Sequence, residues 1–70
     1  MKLSARNQLK GTVAAIEEGA VNGIVKIEVA PGVVVSSSIT KASIQELGLS
    51  VGDTAYAVIK ASSVMVGIDD

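Results

Sequence analysis

The chain has 70 residues, a net charge of −1, and neither cysteine nor histidine. These figures exclude disulfides, thiolate metal centres and cysteine or histidine catalysis, and they provide no long-range field to draw in nucleic acid. Almost half the residues are apolar, yet Tyr56 is the only aromatic one, so a Val-, Ile- and Ala-rich chain must hide more apolar surface than a small monomer easily can.

A single domain over residues 1–70 is expected. A core of this size supplies roughly 3–5 kcal/mol before any staple is added. With no disulfide or metal to help, a homo-oligomer is the expected remedy. The start lacks a basic, apolar, small-residue leader pattern, and no apolar run approaches the ~20 residues of a membrane span. The expected location is cytoplasmic, with no membrane partner.

In chain order, Lys10–Ile16 reads as a first strand, ended by Glu17-Glu18-Gly19. Val21–Val29 is a second, with Ile27 and Val29 alternating against Lys26 and Glu28. Ala30-Pro31-Gly32 is a turn. Val33–Ile39 is a third strand, with Val33, Val35 and Ile39 on one face and Ser36 and Ser38 on the other. Thr40–Leu47 changes period: Thr40 is an N-cap, Ile44 and Leu47 share a helix face, and Gly48 is the C′ residue. Ser50-Val51-Gly52-Asp53 turns into a fourth strand, Thr54–Lys60, with Ala55, Ala57 and Ile59 on one side. Ala61–Ser63 is a kink and Val64–Ile68 a fifth strand. Five short strands with one helix between the third and fourth predict a small, partly open, OB-like barrel.

Two segments stand out for chemistry. Ser4-Ala5-Arg6-Asn7-Gln8 and Lys60-Ala61-Ser62-Ser63-Val64-Met65 are each a run of hydrogen-bond donors at the edge of an apolar strand. Arg6 and Lys60 together neutralise a dianion, and the small hydroxyl and amide residues beside them donate without crowding it. The competing reading makes both cations ordinary solvated surface residues. Thr40-Lys41-Ala42-Ser43 opens a helix, where free N–H groups favour an anion, although Thr40 also serves simply as a cap. Tyr56, Met1 and Met65 read as core or interface filler. No pair of carboxylates has the isolation that acid–base catalysis needs, and the glycines form no phosphate-cradling motif, so no enzyme is expected.

The segments Ser4-Ala5-Arg6-Asn7-Gln8-Leu9-Lys10-Gly11, Gly19-Ala20-Val21-Asn22, Glu46-Leu47-Gly48-Leu49, Val51-Gly52 and Val58-Ile59-Lys60-Ala61-Ser62-Ser63-Val64-Met65 resemble the molbindins. These are small molybdate-binding proteins of the Mop/TOBE type, and the resemblance covers nearly the whole chain. It implies an all-β, OB-like five-stranded barrel with one short helix, strand-exchanged dimers, and a homohexamer built as a trimer of dimers. It also implies molybdate or tungstate as ligand, held between subunits for storage and homeostasis, with no cofactor and no metal cation. By similarity, Ser4 and Arg6, with backbone of Ala5 and Asn7, come from one subunit. Thr40, Ser43, Lys60 and backbone of Ala61 or Ser62 come from its neighbour. The segment Ala30–Val35 departs from the family in being more apolar than a polar hairpin. Two other classes compete. One is a nucleic-acid-binding OB module, which the single tyrosine and the charge oppose. The other is a Mop-like interaction or regulatory module with no storage role.

Overall fold

Residues Asn7–Glu18 form one continuous strand, β1, in the computed structural model, which describes residues 1–70. β1 is followed by β2 (Asn22–Ala30), β3 (Val33–Thr40), the helix α1 (Lys41–Leu47), β4 (Thr54–Ile59) and a 3₁₀ turn over Ala61–Ser63. The sheet is antiparallel in the order β3-β2-β1-β4. β1 is longer than its apolar centre predicts because its two halves serve different neighbours. Asn7–Thr12 pairs with β4, and Thr12–Glu18 pairs with β2.

The register of β1 against β2 slips between Val13 and Ala15. An extra residue, Ala14, bends the strand and increases its twist. The bend curls the sheet, so alternate residues converge on a small core of Val13, Val25, Ile27 and Ala57, with Ile44 packed down from α1. The alternation expected for β2 and β4 holds, and in β3 it holds for Val35 and Ile39 but not Val33: Val29, Val35, Ile39 and Ala55 are partly buried against that core, while Val33, at the strand's start, is 52 % exposed.

The helix begins and ends as expected. Thr40 Oγ1 accepts from the Ser43 N–H at 3.1 Å, and Gly48 closes the helix in the left-handed region at φ 62°. Gly23 lets α1 sit close: a Cβ there would lie 2.6 Å from Ile44 Cδ1. Leu47 borders the apolar cleft but is not buried with Ile44. Ile44 is 4 % exposed and Leu47 67 %, and Leu49, beyond the cap, packs on the core instead. The helix is too short to turn a second apolar residue inward before Gly48 redirects the chain.

The fifth strand is a correction. Val64–Ile68 pairs with nothing in this chain, and Met65, Val66 and Ile68 are each more than nine-tenths exposed. A strand needs a neighbour for its N–H and C=O groups, and the 3₁₀ turn at Ala61–Ser63 carries the chain off the sheet. What remains is a four-stranded half-barrel. Its open side is a cleft of about 510 Å³, lined by Val25, Ile27, Ile39, Leu49 and Ala55 among others. The β3 and β4 edges border a smaller continuation of it, at Val35–Ser37 and Tyr56–Ile59.

Candidate functional site

The paired residues of β1 and β4 bring the two donor-rich segments together. Asn7 lies opposite Ile59, Gln8 opposite Val58 and Leu9 opposite Ala57. Arg6 and Lys60 each lie one residue beyond the last pair of the ladder, Asn7–Ile59, at the same end of the sheet. Two cations thus sit at one end of the sheet, where an anion bound between them would relieve their repulsion.

The cations and the nearest hydroxyls of these segments have no partner in the chain. Neither Arg6 nor Lys60 forms an ion pair; the single salt bridge joins Lys26 and Glu17 at 3.4 Å, at the far end of β1. The hydroxyls of Ser4 and Ser62 have no hydrogen-bond partner. Within the 3₁₀ turn, Ser63 N–H is used on the Lys60 carbonyl at 2.8 Å, while the N–H groups of Ala61 and Ser62 stay free.

A further signal went unread in the sequence. Residues 1–16 and 54–68 contain no Asp or Glu, although they carry Lys2, Arg6, Lys10 and Lys60. Those two stretches include the first half of β1 and all of β4, which pair with each other. The carboxylate-free region is therefore one end of the folded sheet. The two gaps are far apart in sequence, and only the β1–β4 pairing unites them.

Thr40 and Ser43 do not join this cluster within one chain. Thr40 lies opposite Asn22, which starts β2 beside the C-terminal end of β1, where Glu18 pairs with Gly23. Arg6 precedes the N-terminal end of the same strand. The Thr40 hydroxyl donates to Ser43 Oγ at 2.8 Å while accepting the Ser43 N–H, so it is spent on the cap. The Ser43 hydroxyl proton is left free. The resemblance implies that Arg6 and Lys60 of one site come from different subunits; within one chain the two flank the last pair of the β1–β4 ladder.

A TOBE domain signature matches residues 3–66. The chain is 58 % identical over 69 residues to a probable molybdenum-pterin-binding protein of Haemophilus influenzae, covering 99 % of this chain and all of that protein. The chain belongs to the TOBE family, in its Mop branch. Its fold matches that of MopII from Clostridium pasteurianum in a ligand-free form, with a TM-score of 0.89 and 40 % identity over 96 % of this chain and all of that one. It also matches ModG, a cytoplasmic molybdate-binding protein solved with molybdate bound, with a TM-score of 0.92 and 49 % identity. That match covers 99 % of this chain and 49 % of the ModG chain. The mostly β, OB-like architecture with one short helix is thus that of the Mop proteins.

Proposed function

We propose that this protein binds molybdate and tungstate as free oxyanions in the cytoplasm, for storage and homeostasis, and catalyses no reaction. The observation that carries this reading is the set of unpartnered donors at one end of the β1–β4 ladder, where Arg6 and Lys60 flank the last pair, Asn7–Ile59. Ser4, Arg6, Lys60 and Ser62 supply side-chain donors, and Ala5, Asn7 and Ala61 supply backbone. Thr40 and Ser43 complete the site from a neighbouring chain.

The chemistry fits the ligand. Molybdate is a tetrahedral dianion with acceptors only, so a site of donors matches it. Phosphate near neutral pH usually keeps a proton that needs an acceptor, and leaves one group unpaired in such a site. Sulfate passes that filter and is discriminated by size, whereas tungstate matches molybdate in both respects. The pterin in the relative's name has a different requirement: a planar bicycle whose edge carries donors and acceptors. The apolar cleft offers it only the hydroxyls of Ser37, Thr54 and Tyr56, with no amide or carboxylate side chain to pair with that edge.

A homohexamer built from strand-exchanged dimers accounts for the surface. Only six of the 70 residues are buried in the single chain, too few to hold a domain together alone. An apolar, unpaired Val64–Ile68 and an open β3–β4 gap are complementary features. Titration calorimetry with molybdate, tungstate, sulfate and phosphate tests the proposal, alongside sedimentation. Saturable binding of the first two to a hexamer, lost in Arg6→Ala and Lys60→Ala, is expected. Equal affinity for phosphate would refute a donor-only site.

A further inference from the structure

Two backbone carbonyls border the donor cluster, and each is occupied by a side-chain amide. Gln8 Nε2 donates to the Ala5 carbonyl at 3.1 Å, and Asn7 Nδ2 donates to the Ile59 carbonyl at 3.2 Å. Ala5 sits between Ser4 and Arg6, and Ile59 immediately precedes Lys60. A free carbonyl at either place would present its negative end to an approaching oxyanion. Each amide is oriented by the same chemistry, because only its NH₂ end can face a carbonyl.

We propose that Gln8 and Asn7 are positioning residues that occupy the acceptors beside the site, so that the ligand meets donors alone. The inference rests on the oxyanion reading given above and assigns the source of its selectivity. Gln8 need not touch the ligand. It lies opposite Val58 and is exposed, so the fold does not need it as filler. Asn7 is half-buried and also bridges the two strands, so its removal costs stability as well. Gln8 is therefore the cleaner test.

With the Ala5 carbonyl uncovered, two consequences follow. A fully deprotonated dianion is held less tightly. A protonated anion gains an acceptor for its proton, so hydrogen phosphate is rejected less well. A residue that only stabilised the strand would weaken both anions together and leave their ratio unchanged.

The experiment is titration calorimetry on the assembled protein near neutral pH, with molybdate and inorganic phosphate as probes. The variants are Gln8→Met, Gln8→Lys and Arg6→Gln. Gln8→Met should bind molybdate about three- to ten-fold more weakly, the worth of one hydrogen bond, and lose a similar factor in its molybdate-to-phosphate ratio. Gln8→Lys restores a donor toward the carbonyl and should recover the ratio. If Gln8→Met keeps the parent's ratio while Arg6→Gln loses affinity, the screening role is wrong and the site stands. If the parent binds no molybdate, or Arg6→Gln binds it equally well, the site itself is wrong and the inference falls with it.

Discussion

Replacing Arg6 with Gln should move stability in opposite directions with and without ligand. In the empty protein Arg6 and Lys60 flank the last pair of the ladder, and neither has an acidic partner. Directly opposed like charges on neighbouring strands cost about 0.2–1 kcal/mol. Both side chains reach water, so the lower part of that range applies. A domain of this size gains or loses about 4–8 °C in Tm per kcal/mol. The ligand-free variant should therefore melt about 1–3 °C above the parent, with the gain shrinking as salt screens the pair.

Ligand reverses the order. Molybdate at a hundred times its Kd stabilises the parent by about 2.7 kcal/mol. Losing one charge-assisted hydrogen bond weakens binding about ten-fold. The same ligand concentration then stabilises Arg6→Gln by only about 1.4 kcal/mol. Scanning calorimetry in low-salt buffer free of oxyanions, at one fixed protein concentration, reads both effects. A ligand-free variant that melts below the parent would refute the repulsion between Arg6 and Lys60. A ligand-induced shift as large as the parent's would refute the role of Arg6 in binding.

Other consequences concern the frame that carries the site. Ile44 is the only buried residue of α1, so Ile44→Ala should cost about 2–5 kcal/mol in chemical denaturation. Gly23→Ala drives a methyl into Ile44 Cδ1 and should cost about 1–3 kcal/mol. Because Arg6 and Lys60 sit at the other end of β1, Gly23→Ala should cut stability more than molybdate affinity, as paired melting and calorimetry would show. Ending the chain after Ser63 removes the unpaired apolar segment and should dissolve the proposed hexamer in sedimentation. Tungstate should displace molybdate stoichiometrically in competition calorimetry, with sulfate and phosphate much weaker.

The strands and helix were legible because their periods are plain: Val25, Ile27 and Val29 alternate, and Thr40 and Gly48 punctuate the helix. Leu47 misled because spacing alone cannot tell how a seven-residue helix tilts over its sheet. Val64–Ile68 has the composition of a strand but no partner in its own chain, and pairing is not a property of the segment. For the site, residue type identified Ser4, Arg6, Lys60 and Ser62 as donors. It could not show that Arg6 and Lys60 flank one end of the β1–β4 ladder, since that follows from the register. Nor could it show the amides of Asn7 and Gln8 covering carbonyls, because those contacts exist only once the strand end is in place.

The division of ligands between chains has a consequence that no single variant reveals. Arg6 and Lys60 lie at one end of β1, and Thr40 and Ser43 at the other. If a complete site takes the first pair from one chain and the second from a neighbour, two defective variants can repair each other. Arg6→Gln chains keep an intact Ser43, and Ser43→Ala chains keep an intact Arg6. Refolded together in equal amounts and assembled at random, they should yield about one fully intact site in four, with another quarter doubly defective. If one chain supplied all four residues, every site in the mixture would carry one defect and none would be intact. Calorimetry distinguishes the two cases. The shared site gives a high-affinity phase with parental Kd and about a quarter of the parental stoichiometry, absent from either variant alone. A mixture that titrates as the plain sum of the two variants would refute the shared site, and a Ser43→Ala protein that binds as tightly as the parent would place Ser43 outside it.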